Sequence, residues 1–257
     1  HAFYLLKNRY VEISQKAFKI ALVIATVSAI AQLITGHMSA GGVADNQPTK
    51  LAAFEGHFDS KAPADMYLFG WVDKENQKVY GPKIPGGLSY LVHWDFNEPV
   101  AGLNDFPEDE RPSAVNAVFQ FYHLMIALGL FFIALTLFGV FKWWRGSLFK
   151  HRWLLWIFVV AVILPQLANQ LGWFAAEMGR QPWVVWGLLR TSDALSATVT
   201  ANQVLFSLIM FAVIYLLLFL LFLYLLDRKI RSGPTDEKPE EGRPIQESMV
   251  GVVESKK

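Results

Sequence analysis

The 257 residues are 53% hydrophobic and only 18% charged, with 20 Phe, 9 Trp and no Cys. A formal net charge of +1 offers no basic face for nucleic-acid phosphates. The missing Cys exclude disulfides, zinc ribbons, thiolate-held iron–sulfur clusters and cysteine nucleophiles, and leave the compartment open. The apolar residues come in runs, so the chain is read as an all-α integral membrane protein by counting spans.

Residues 1–10 lack a signal peptide's basic start and sufficient apolar run. They read as the end of a truncated upstream helix and a cytoplasmic turn, which makes the chain a fragment of a larger helical bundle. The first span is expected over 11–35, with its clean apolar stretch from Ile20 to Thr35 and with Lys16 and Lys19 able to snorkel at its start. Residues 36–111 form a polar loop punctuated by Pro and Gly. A structureless loop of that length is unusual, so partial order or function is expected. Within it Thr49 to Phe58 reads as helical and Tyr80 to Pro107 as turns laid over the membrane.

The second span is expected over 112–141. Its first half carries Asn116, Gln120, Tyr122 and His123, and its second half is almost wholly apolar, so the polar end faces protein, cofactor or water. A cytoplasmic loop at 142–152 leads to a third span at 153–176, interrupted by Pro165, Gln166, Asn169 and Gln170. An outer loop at 177–202 and a fourth span at 203–227 follow. The tail at 228–257 is expected to be disordered.

Basic clusters at Lys7, Arg9, Lys16 and Lys19, at Lys142, Arg145, Lys150 and Arg152, and at Arg228, Lys229 and Arg231 all fall on one side of a four-span chain. That side is cytoplasmic by the positive-inside rule. The loop at 36–111 holds 12 Asp/Glu against 6 Lys/Arg and lies opposite.

No Gly-rich phosphate loop, His-Glu-x-x-His pair or serine nucleophile elbow is present. The groups left to carry chemistry sit near the outer ends of the spans. Glu177 closes an apolar helix and needs a partner, a proton or a metal; Arg180, three residues on, is the plain structural partner. Met125 offers a thioether suited to haem iron and His123 an imidazole, although core packing also accounts for a methionine there. Lys50 and Glu55, five positions apart on a helix, are poorly placed to pair directly. They either approach one substrate from different sides or are simply solvated.

These stretches support a resemblance. Gly172 to Trp183, with Glu177 followed by Gly179-Arg180-Gln181-Pro182, resembles the most distinctive motif of subunit I of the cytochrome bd-type quinol oxidases. Thr49-Lys50-Leu51-Ala52-Ala53-Phe54-Glu55 resembles the start of that family's quinol-binding loop, and Pro99-Val100-Ala101-Gly102-Leu103 its later part. The similarity runs in order from Ala2 to about Leu226.

The resemblance implies a multi-pass subunit of a bacterial cytoplasmic-membrane oxidase that takes electrons from menaquinol or ubiquinol. They pass through a low-spin and a high-spin haem b to haem d, where dioxygen is reduced to water. It implies the upstream part of the same subunit and a second membrane subunit as partners. By the same resemblance Met125 matches the axial ligand of the low-spin haem, and Glu177 the acid at the high-spin pair, ligand or neighbour. Arg180 and Gln181 belong to the motif beside those haems, and Lys50 and Glu55 match the residues that bind quinol and take its proton.

Three departures stand out. The family's histidine ligands lie on earlier helices, and His1 does not match them. His123 stands where Arg is common. The loop lacks the long insertion of some members. Apart from the resemblance, an assembly subunit or a proton-coupled transporter using Glu177 fits the same residues.

Overall fold

The computed structural model describes residues 1–233, so most of the tail expected at 228–257 lies outside the described residues. Residues 1–195 form one compact unit and the last helix belongs to another. The first unit begins with α1 (Ala2–Leu6), a single turn, and α2 (Val11–Asn46).

At 36 residues α2 is about 54 Å long at 1.5 Å per residue, well beyond the ~30 Å hydrocarbon layer. Its expected end at residue 35 marks only where the side chains turn polar. No proline occurs in α2 before Pro48, whose ring disfavours a helical conformation at the preceding residue; Gln47 leaves the helical region at φ −144° and ψ 63°, and the helix ends there. α3 (Pro48–Glu55) follows directly, with Pro in its first turn and Gly56 as a left-handed cap at φ +61°. A Cβ on Gly56 would lie 2.8 Å from Val79 and 3.0 Å from Val72.

The loop continues through two antiparallel pairs, β1 (Met66–Tyr67) with β4 (Lys83–Ile84) and β2 (Trp71–Asp73) with β3 (Lys78–Tyr80). It then forms α4 (Gly87–His93) and two 3₁₀ turns. The stretch from Tyr80 to Pro107 is thus more regular than a succession of turns. α5 (Val115–Trp144) is the second long apolar helix.

The third span is broken. α6 (Arg152–Val160) and α7 (Leu164–Gly179) meet at 40°. Pro165 has no N–H to donate, and its ring would clash with the carbonyl of Ala161, where the first segment stops. A short hairpin, β5 (Trp183–Val185) and β6 (Leu189–Arg190), caps α7.

Among the described residues, three helices are long and apolar enough to cross a membrane, four when the bent pair counts as one span, as the composition led us to expect. α8 (Ala201–Ser232), taken by itself, is apolar around its whole circumference and carries no charge before Asp227. Such a helix needs lipid or other helices around it.

Of the three apolar clusters of the first unit, one joins Leu51, Ala64, Leu88 and Val100 within the loop, and the other two lie at opposite ends of the unit. One of these two joins Ala2, Leu5, Leu6, Phe18, Leu22, Leu135, Leu148 and Leu154, which gathers the ends of α1, α2, α5 and α6. The first two basic clusters therefore lie at one end of this unit, and Arg152 donates to the Leu6 carbonyl at 3.1 Å. The other core joins Phe54, Phe58, Val118, Phe119, Tyr122 and Ala175, and packs α3 and the loop against α5 and α7.

Candidate functional site

The loop end is organised by two faces of α5. Asn116, Gln120 and His123, spaced i, i+4, i+7, share one face and take hold of the loop backbone. Val72 N–H donates to Asn116 Oδ1 at 3.0 Å, and Gln120 Nε2 donates to the Gly70 carbonyl at 2.6 Å. His123 Nε2 lies 2.9 Å from the Tyr67 carbonyl oxygen, and Nδ1 lies 2.9 Å from that of Phe119. Both oxygens only accept, and a neutral imidazole has one N–H to give. The polar half of this helix is therefore largely occupied in holding its own chain's loop.

Val118, Tyr122 and Met125 lie on roughly the opposite face, at 100° per residue, towards α3 and α7. Phe54 and Tyr122 stack at 4.4 Å with an interplanar angle of 10°. Gly172 is the contact point for Met125: a Cβ there would sit 2.5 Å from the Met125 sulfur. About two turns along α7, Gly179 does the same for α3, since a Cβ would lie 3.1 Å from Phe54, 3.2 Å from Val118 and 3.3 Å from Lys50 Cγ. Gly172, Ala175 and Gly179 thus form a small-residue face that lets three helices approach closely.

Lys50 and Glu55 are both buried, at 9% and 3% exposure, and the solvated-charge reading fails for both. Lys50 runs along Gly179 towards the Glu177–Arg180 pair. Burial and the neighbouring Arg180 hold its ammonium below the usual lysine range, with Glu177 opposing them. Burial raises the Glu55 carboxyl to about 8, and its Oε2 has no hydrogen-bond partner. Few native groups are left in that condition without a reason.

The later loop segment is tied to the residues that follow this acid. His57 Nε2 lies 3.0 Å from the Val100 carbonyl oxygen, and Leu103 N–H donates to the His57 carbonyl at 3.0 Å. Asp105 Oδ2 accepts from Ser60 Oγ at 2.5 Å and from Gly102 N–H at 2.9 Å. His57, Ser60 and Asp105 were not among the residues singled out from the sequence. Only the loop's closure reveals them, because they hold segments some 40 residues apart.

Glu177 accepts from Arg180 Nε at 2.9 Å and from Nη2 at 2.6 Å, both on Oε2, so the local pairing considered from the sequence does form. Five residues beyond Gly172, the acid projects about 140° round the helix from it. Met125 and Glu177 therefore belong to different sides of α7. Gln181 Oε1 accepts from Thr191 Oγ1 at 2.8 Å and so holds the hairpin after α7.

These features define a class: a polytopic helical membrane protein whose long loop is folded onto the polar ends of its spans. The comparisons specify the family. Residues 1–234 match the family model of cytochrome bd terminal oxidase subunit I, and the chain belongs to that family.

It is 34% identical over 242 residues to the cytochrome bd ubiquinol oxidase subunit 1 of Bacillus subtilis (strain 168), covering 90% of this chain and 52% of that protein. It is 28% identical over 300 residues to the cytochrome bd-II ubiquinol oxidase subunit 1 of Escherichia coli (strain K12), covering 91% and 58%. The structure of bd oxidase from Geobacillus thermodenitrificans superposes with a TM-score of 0.75 at 32% identity, over 91% of this chain and 53% of that one. The chain thus spans little more than half the length of these relatives.

Proposed function

We propose that this chain is the quinol-oxidising part of a bacterial inner-membrane oxidase that reduces dioxygen to water. The basic end would face the cytoplasm and the loop end the outside. The observation that carries this reading is a buried acid with a free oxygen at the end of α3, a helix packed on the end of α7 through Phe54 and Lys50 and followed by His57, to which the Pro99–Leu103 segment is tied. It rests also on membership of the family.

Two quinols must lose four electrons and four protons for each dioxygen that becomes two waters. In this reading the Glu55 Oε2 accepts a hydrogen bond from the quinol hydroxyl and takes its proton once ionised. Lys50 positions the other end of the ring or orients Glu177, and the Phe54–Tyr122 stack gives the aromatic head an apolar wall. The His57, Ser60 and Asp105 bonds keep the loop closed over the site and exclude water.

The haems that the family implies would supply the one-electron carriers and the centre where dioxygen is reduced. The residues present fit them in two respects. The Met125 thioether, a soft ligand, lies in a cradle that a Cβ at position 172 would fill. Glu177 keeps Oε1 clear of its ion pair, since both Arg180 bonds end on Oε2. Met125 would hold the low-spin haem b, and Glu177, with Arg180 beside it, would serve the high-spin haem b and haem d side.

The test is the purified parent complex. Reduced-minus-oxidised spectra should contain haem b and haem d bands, and quinol should drive oxygen uptake. A complex without either chromophore, or one that ignores quinol, overturns the reading.

A further inference from the structure

At the end of the first unit away from the loop, a groove of about 550 Å³ follows α2 past the end of α5. It is lined by Lys16, Lys19, Ile20, Val23, Ile24 and Trp143. Below the two lysines its wall is apolar, and Ile20, Val23 and Ile24 are all exposed along it. Lys16 and Lys19, three residues apart, stand on one side of the helix at the rim.

The rim is organised by other elements. Lys19 Nζ stands 5.7 Å from the Trp143 ring centroid and 5.8 Å from that of Phe149, so side chains beyond α2 fix its ammonium. Trp143 adds an indole N–H donor. Lys16 is held by Glu12 at 2.8 Å, which offsets one charge. That acid is alone, however: residues 1–19 and 142–152 together hold eight Lys/Arg and only Glu12 as an acid.

We propose that this groove binds one anionic phospholipid, with its phosphate at Lys16, Lys19 and Trp143 and an acyl chain along Ile20, Val23 and Ile24. The charge pattern selects this occupant. A protein helix laid in the groove would cover two ammonium groups and must bring acids for them. A lipid leaves both ammoniums at headgroup depth, where anionic lipids attract Lys and Arg, and covers the apolar wall with hydrocarbon.

The test uses the whole oxidase complex containing this chain, delipidated in neutral detergent and titrated with phosphatidylglycerol or phosphatidylcholine under native mass spectrometry. The wild type should retain one phosphatidylglycerol in preference to phosphatidylcholine. Lys16→Gln with Lys19→Gln should weaken that retention about tenfold or more, with haem content and subunit composition unchanged. Lys74→Gln with Lys78→Gln, at the opposite end, should leave it as it was.

If the double variant does not assemble, Lys16→Gln alone, at an exposed side chain, is read in the same way and should show a severalfold loss. Equal retention of the two lipids, or unchanged retention in the variants, overturns the proposal. So does cross-linking of Ile24→Cys to another polypeptide rather than to a photoactivatable lipid. Each of these failures would leave the oxidase reading intact, because it rests on spectra and oxygen uptake.

Discussion

Glu55 ends α3 with its carboxyl enclosed, and this has consequences for both stability and rate. An unfolded carboxyl of this kind ionises near 4.5 and the buried one near 8. The folded chain therefore holds the extra proton between those values, and stability falls as pH rises through that window. We expect the thermal midpoint of the complex to fall between pH 5.5 and 8.5, and to fall less in Glu55→Gln. As a base Glu55 acts only when ionised, so quinol oxidation should rise with a midpoint near pH 8. In Glu55→Gln it should be flat and roughly a hundredfold slower. Steady-state oxygen uptake per haem measures this, and wild-type rates in the variant would remove Glu55 from the substrate site.

Met125 and Glu177 project to different sides of α7, so their losses should separate. Met125→Leu preserves volume and costs little as packing, yet it removes the sulfur. It should shift or abolish the low-spin haem b signal while haem d persists. Glu177→Gln should do the reverse, disturbing the high-spin signals and sparing the low-spin one. Reduced-minus-oxidised spectra normalised to protein decide the point, and an unchanged low-spin band in Met125→Leu excludes ligation by that sulfur.

Among the elements, α7 depends most on its small-residue face. Gly172→Ala brings a methyl to 2.5 Å from the end of a flexible side chain. The Met125 sulfur should move aside with little loss of stability, and the low-spin band should shift. Gly179→Ala meets Phe54, Val118 and Lys50 Cγ together at 3.1–3.3 Å. There α3 must retreat, at a cost of about 1–3 kcal/mol. We expect a lower thermal midpoint and a raised KM for quinol, because Lys50 moves with α3. A midpoint and KM unchanged in Gly179→Ala would mean that α3 does not need this close approach.

At the scale of the whole molecule the expectation is topological: the first two basic clusters share one end of the first unit, and the positive-inside rule would put that end in the cytoplasm. Single cysteines at positions 16, 142 and 228 should be protected from impermeant reagents in intact cells, and those at 50 and 105 should be on the outer side. Because Lys50 is buried, labelling at 50 should be slow and labelling at 105 fast. An outward-facing 142 with a protected 105 would reverse the topology.

Much of this was legible from residue order alone. Hydrophobic runs determined the spans, because a bilayer requires about 20 apolar residues whatever their neighbours. Pro165 announced the break in the third span through its missing donor. Polar groups near the span ends and in the loop made Lys50, Glu55, Met125 and Glu177 candidates, and the family resemblance gave them roles. Tertiary structure decided the rest. Only the packed chain shows that Lys50 and Glu55 are buried, that Asn116, Gln120 and His123 hold the loop, and that the Gly of the α7 motif admits α3. It also shows that Met125 and Glu177 diverge. Burial, hydrogen-bond partners and close helix approach depend on residues distant in sequence, and local pattern does not encode which distant groups will meet.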